Sequence, residues 1–156
     1  MGISSTWQDI SNMKISSHWQ DGKLVTKASG LVNTIPETVV NSHLIEDYAR
    51  VLGIEKYSWF KRKRNRVMCS FKQKIGPLSF DMTFEKIIER LPWETKVYYK
   101  TSDSVADMTG VWTIEPANGR TSLSLAQEVN VPAALRWLPV KSVIESKVKN
   151  AYKAYM

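Results

Sequence analysis

The sequence predicts an α+β fold in which a curved antiparallel sheet of about seven strands wraps around one long C-terminal helix. Three observations carry this expectation. Apolar and polar residues alternate over most of residues 66–130, the period of a sheet with one dry and one wet face. Short turn sequences join these stretches, as in an antiparallel meander. From Ala133 to Met156 the apolar period turns helical.

Residues 1–22 are polar, with Trp7, Ile10, Met13, Ile15 and Trp19 scattered among serines. They read as an N-terminal extension without an assignable element, ending in a turn at Asp21-Gly22, ahead of a domain at 23–156. A strand follows at Lys23 to Val32. Thr34-Ile35-Pro36-Glu37 then has capping-box spacing, with Thr34 as N-cap and Pro36 in the first turn. Val39, Val40, Leu44, Tyr48, Val51 and Leu52 recur at helical spacing before Gly53, which allows one helix or two short ones.

After Gly53 the period becomes two. Val67, Cys69, Phe71 and Ile75 share a face of the strand at Arg66 to Ile75, and Gly76-Pro77 turns the chain. Leu78, Phe80, Met82 and Phe84 then oppose Ser79, Asp81, Thr83 and Glu85. Leu91-Pro92-Trp93-Glu94 makes a turn into a strand carrying Val97 and Tyr99. A loop at Ser102 to Asp107 leads to a hairpin whose strands carry Trp112 and Ile114, then Leu123, Leu125 and Val129. Asn118-Gly119 between them suits a tight turn, because both tolerate positive φ. In the terminal helix Leu135, Leu138, Val140, Val143, Ile144, Val148, Ala151, Tyr152 and Tyr155 form the apolar set, and Pro139 marks a kink or a late start. A sheet with one apolar face must cover it. One rod cannot meet a curved sheet everywhere, so a gap is expected between them.

The chain of 156 residues is long enough for one domain with a real core. Its single cysteine, Cys69, excludes an internal disulfide and every multi-cysteine zinc site, and fits a reducing compartment such as the cytoplasm. No apolar run of membrane-spanning length and no signal-peptide pattern occurs, so the chain reads as soluble and not secreted. Met1-Gly2-Ile3-Ser4-Ser5-Thr6 matches the loose pattern for N-terminal myristoylation. Net charge is +7, and from Lys56 to Lys74 there are eight Lys or Arg and no acid.

The order of elements and the wording "VADMTGVWTIEPANGRTSLSLAQEVNVP" resemble the SRPBCC or START-like superfamily, with its helix-grip fold. The branch they are most similar to is the polyketide cyclase and coenzyme Q-binding one. The shared features are Gly110-Val111-Trp112, the turn from Pro116 to Gly119, Thr121-Ser122-Leu123, and Pro132 before the terminal helix. Pro36-Glu37 and the valines after it match the family's first helix. Many members carry an aromatic segment after that helix; here it is Tyr57-Ser58-Trp59-Phe60, followed at once by the basic run. The resemblance implies a cavity for a hydrophobic small molecule between sheet and terminal helix, and no cofactor.

The expected walls of that cavity are Phe71, Phe80, Met82, Phe84, Val97, Tyr99, Trp112, Ile114, Leu123 and Leu125 from the strands, with Val140, Val143, Ile144 and Val148 from the helix. Gln73, Tyr99, Thr101, Thr121 and Gln127 are polar residues whose alternation could aim them inward. They orient a ligand but are weak acids and bases, so catalysis is under-supplied and no catalytic residue is assigned. The two histidines, His18 and His43, form no cluster with acids at metal spacing, so no metal site is expected. Cys69, beside Val67 and Phe71, reads as a small buried hydrophobe.

Lys61, Arg62, Lys63, Arg64 and Arg66 read as an exposed hairpin tip, either a solvated loop or a contact for anionic lipid headgroups, with Trp59 and Phe60 beside it at the interface. No nucleic-acid motif accompanies the run, and an apolar groove is the wrong surface for a phosphate backbone. Two functions therefore compete: a carrier or chaperone for a lipid, quinone or isoprenoid-like molecule, peripheral to a membrane, and a polyketide cyclase or dehydratase using the same cavity. The sequence does not fix the ligand or the oligomeric state.

Overall fold

Two-residue alternation yields long strands here because the sheet buries one face against the helices. The computed structural model describes residues 13–102, 104 and 106–156. The myristoylation pattern, Trp7 and Ile10 lie outside the described residues. In chain order the elements are β1 (Lys14–Gln20), β2 (Lys23–Val32), α1 (Pro36–Ser42), α2 (Tyr48–Val51), β3 (Trp59–Lys63), β4 (Arg66–Ile75), β5 (Leu78–Arg90), β6 (Thr95–Thr101), β7 (Asp107–Ala117), β8 (Arg120–Asn130), a 3₁₀ turn (Ala133–Leu135) and α3 (Val140–Tyr155).

All eight strands form one antiparallel sheet in the order β1-β2-β8-β7-β6-β5-β4-β3. The fold is the expected α+β helix-grip arrangement, with α3 held by the curved sheet. Apart from the step from β2 to β3, sequence neighbours are sheet neighbours, and that step crosses from one side of the sheet to the other through α1 and α2.

The eighth strand, β1, comes from the segment that showed no pattern. Its inward position Ser17 is buried but polar, with its hydroxyl 3.0 Å from that of Thr26 on β2. Met13 and Ile15 pack against the core from the same face, and the hydroxyl of Ser17 breaks the alternation between them and Trp19. The turn expected after it is present, with Asp21 and Gly22 both at positive φ.

The capping box does not form. Ile35 is the N-cap of α1, Pro36 takes the first helical position, and no side chain caps the helix. The Thr34 hydroxyl instead donates to the carbonyl of Tyr155 at 2.7 Å, and its backbone N–H donates there too at 3.0 Å. The two-helix alternative holds, with the break at residues 43–47. Pro139 is the late start: it is the N-cap of α3.

The registers put the tips at Arg64-Asn65, Leu91–Glu94 and Asn118-Gly119 at one end of the sheet, near the start of α1 and the end of α3. The turns at Asp21-Gly22 and Gly76-Pro77, the described residues Ser102, Ser104 and Ala106, and the start of α3 lie at the other end. At the first end the core is closed: Val32, Val39, Val97, Ile114 and Leu123 pack with Ala151 and Tyr152. The Tyr152 hydroxyl donates to the Leu123 carbonyl at 2.6 Å, which ties the helix to β8.

Candidate ligand cavity

Toward its start, α3 leaves the sheet uncovered, and a cavity of about 140 Å³ lies between them. The whole concavity, solvent at its mouth included, spans about 1190 Å³. The enclosed 140 Å³ is close to a cavity that holds one benzene ring, and below the roughly 300–1,000 Å³ of sites for drug-sized ligands. A ligand larger than one or two rings would therefore extend into the open part.

Lining residues that keep some contact with solvent gather around the start of α3. They include Ile75 and Phe80 flanking the β4–β5 turn, Met108 after the β6–β7 loop, Leu135 in the 3₁₀ turn, and Val143 and Lys147 on the helix. This is the mouth. The β3–β4 tip is at the far end of β4, and none of Trp59 to Arg66 lines the cavity.

Most of the expected wall is present. Phe71, Phe80, Met82, Phe84, Tyr99, Trp112 and Leu125 line the cavity from the sheet, and Val140, Val143, Ile144 and Val148 from α3. Phe71 and Phe84 stack with ring centres 5.5 Å apart. Val97, Ile114 and Leu123 do not line it. They share the correct face, but they sit where Tyr152 and α1 already fill the space.

Among the inward-facing polar candidates, Gln73, Tyr99 and Gln127 reach the cavity. The Tyr99 hydroxyl donates to Gln127 Oε1. Gln73 Oε1 is buried without a partner. Thr101 and Thr121 have structural roles instead. The Thr101 hydroxyl accepts from the Met108 N–H and donates to the Ala106 carbonyl, and that of Thr121 donates to the Thr34 carbonyl.

The inner end holds a cluster that the sequence reading did not assemble: His43, Tyr48, Tyr57, Cys69 and Lys86. His43, between α1 and α2, is buried among them. Lys86 was missed outright, although the signal was present. Lys86 continues the inward stripe Leu78, Phe80, Met82, Phe84 in phase, and Ile88 follows it. Cα register pairs Lys86 with Val67 on β4 and Tyr99 on β6. Six residues separate Phe80 near the mouth from Lys86, roughly 20 Å along a strand.

Lys86 is only 5% exposed, and its Nζ has no hydrogen-bond partner. It stands 3.9 Å from the centre of the Tyr48 ring. A desolvated cation–π contact contributes about 2 kcal/mol, against an effective cost of several kcal/mol for burying an ammonium. Burial wins: it pulls Lys86 down to about 7, while Cys69 acts weakly the other way. No ion pair involves Lys86 among the described residues.

Its neighbours stay neutral at neutral pH. Burial, then the charge of Lys86, holds His43 well below the usual imidazole value. Burial raises the hydroxyls of Tyr48, Tyr57 and Tyr99 and the thiol of Cys69. His43 Nδ1 is buried with no partner, the buried Tyr48 hydroxyl lies beside that of Tyr155, and the rings of His43 and Tyr48 lie 4.3 Å apart. At the mouth, burial lowers the half-buried Lys147. No group of His, Cys, Asp and Glu among the described residues could hold a metal ion. No described helix is long and apolar enough to cross a membrane.

The basic hairpin is formed as expected, with Lys61 to Arg66 exposed and Arg64 at positive φ in the tip. Arg66 pairs with Glu85 at 2.9 Å. The two aromatics beside it differ. Trp59 is 40% exposed, whereas Phe60 packs against the core with its ring 5.7 Å from that of Tyr57.

A curved antiparallel sheet closing on a C-terminal helix across an apolar cavity defines the START-like helix-grip fold, and this chain has it. A STAR-related lipid transfer protein from Xanthomonas axonopodis is similar over 92% of this chain and 98% of its own, with a TM-score of 0.68 at 10% identity. The Zhui aromatase/cyclase from a Streptomyces species covers 92% and 91%, with a TM-score of 0.65 at 14% identity. Human STARD10 covers 92% and 73%, with a TM-score of 0.62 at 13% identity. At these identities the likeness is one of fold. No protein-family model matches the chain, and no curated protein does.

Proposed function

We propose that the protein binds a hydrophobic small molecule, such as a lipid, quinone or isoprenoid-like compound, between the sheet and α3, and acts as its carrier or chaperone. The observation that carries this reading is the cavity itself. Apolar residues from β4, β5, β7, β8 and α3 surround a space that no side chain of the described residues fills. Solved structures with the same fold include a lipid transfer protein. Burial of apolar surface supplies the affinity, and a few polar groups set orientation.

Mass spectrometry of the gently purified protein under native conditions, then solvent extraction, tests this. A discrete co-purifying apolar molecule is the expected result. Bare protein that also fails to take up an added aromatic ring compound would sink the reading.

A second reading, a cyclase or dehydratase acting on a polyketide-like chain in the same cavity, draws on one observation. His43, Tyr48 and Lys86 converge at the inner end, and an aromatase/cyclase shares the fold. Lys86, which burial brings to about 7, suits proton transfer beside an apolar substrate. Docking on an anionic membrane through the β3–β4 hairpin is a separate element of the carrier reading, because it would leave the mouth at the opposite end of the sheet; Trp59, rather than Phe60, is exposed there to insert.

A further inference from the structure

The Lys86 ammonium is expensive where it is. Every other inward position of β5 from Phe80 to Ile88 is apolar, and an apolar side chain at residue 86 would continue the stripe without desolvating a charge. Two polar groups without partners, Lys86 Nζ and His43 Nδ1, meet here with the Tyr48 hydroxyl, whose polar neighbour is the hydroxyl of Tyr155. All three belong to residues that line the cavity, and no carboxylate pairs with the lysine among the described residues. Buried polar groups are normally satisfied, so a pair of orphans at the blind end of a cavity marks where a ligand supplies the missing partner.

We infer that the ligand is an apolar molecule with a carboxylate or a comparable anionic oxygen group, which enters first and pairs with the Lys86 ammonium beside the Tyr48 hydroxyl and His43. This rests on reading the cavity as a ligand site. An anionic oxygen accepts from both the ammonium and the Tyr48 hydroxyl, while the apolar body lies along Met82, Phe80 and Ile144 toward the mouth. A ligand with no acceptor would leave the Lys86 ammonium unpaired.

The charge state of Lys86 makes the pairing depend on pH. The groups facing it are His43 and Tyr48 from the α1–α2 segment, Tyr57 before β3, Cys69 from β4 and Tyr99 from β6, with apolar Val148 beside them. His43 is neutral and the tyrosines and thiol are un-ionised near neutrality, so Lys86 is the group that titrates there. Anion affinity should weaken as pH rises through about 7, the value to which burial pulls this lysine. The loss is at most about tenfold per pH unit, for one linked proton.

The test compares naphthalene carboxylate with naphthalene carboxamide, its neutral isostere, by calorimetric titration of the wild type, Lys86→Met and Lys86→Arg. At slightly acid pH the wild type is expected to bind the carboxylate at least tenfold more tightly than the amide. Lys86→Met removes the preference but keeps amide binding, and Lys86→Arg keeps the preference. Equal affinities in the wild type, or a preference that survives Lys86→Met, overturn the inference and leave the cavity as a neutral-ligand site. If the wild type binds neither probe, the ligand-binding reading falls with it. Thermal melts of both variants establish that they are folded.

Discussion

The Lys86 ammonium sits 3.9 Å from the centre of the Tyr48 ring, and this contact is the nearest thing it has to a counter-charge. The cost of its burial should appear as a pH-dependent stability. Lys86 falls from 10.5 to about 7 on folding, so between these values the unfolded chain holds a proton that the folded chain lacks. Stability rises with pH across that window. At about 1.4 kcal/mol per pKa unit the full effect is roughly 5 kcal/mol, present as a penalty below 7 and relieved toward 10.5. His43, lowered in the fold, adds a loss of the same sign as pH falls below 6.5. Above about 10 the sign reverses, because Tyr48, Tyr57 and Tyr99 keep protons that the unfolded chain releases. Urea unfolding over a pH series should therefore show maximum stability on the alkaline side. Lys86→Met should flatten the climb; an unchanged profile would place the ammonium in water.

Gly110 is needed for a different reason from a turn glycine, since the Tyr99 ring lies where its Cβ would be. The two residues face each other across β6 and β7, and the missing side chain lets the Tyr99 hydroxyl reach Gln127. Gly110→Ala should push the ring away and break that bond, at a cost of about 1–3 kcal/mol for overpacking. Tyr99→Phe, which keeps the ring, should cost only about 1 kcal/mol. Chemical denaturation of both variants checks the order. If Gly110→Ala proves the milder, the ring has room that the structure does not show.

What could be read from the sequence was whatever depended on local period. The stripe from Leu78 to Phe84, the Asn118-Gly119 turn and the helical period of α3 each announce themselves within a few residues. Contacts between distant segments do not. Thr34 looked like a cap because Glu37 stands three residues on, yet its hydroxyl bonds the carbonyl of Tyr155 at the other end of the domain. The wall residues were legible as a face but not as a cavity. Phe71 and Val97 look alike in sequence, and only the path of α3 decides that one lines a space and the other is packed shut. Lys86 escaped because reading it needed one more step along a stripe, through a residue type that usually ends one.

Val143 stands at the mouth on the first turn of α3, half-buried, so a larger ring there should close the entrance without loading the core. Val143→Trp is expected to reduce binding of naphthalene carboxylate at least tenfold while leaving the thermal midpoint within a few degrees of the wild type. Retained affinity would show that ligands enter elsewhere, for instance past Leu52 and the α2–β3 connection, which also borders the cavity.

The basic hairpin admits two physical explanations that predict different losses. β3 is an edge strand, and Lys61, Arg62 and Lys63 along it would discourage another chain from pairing there. The same charges could hold the protein to anionic lipid, at about 1 kcal/mol each. Lys61→Gln with Lys63→Gln changes only exposed positions, so the cavity and the thermal midpoint should be nearly unaffected. If the hairpin docks, co-sedimentation with phosphatidylserine-containing vesicles should fall by roughly 30-fold, the equivalent of about 2 kcal/mol. Trp59→Ala should weaken it further, and added salt should mimic the charge loss. If the charges only protect the edge, vesicle binding is absent in the wild type, and the double variant instead aggregates at lower protein concentration.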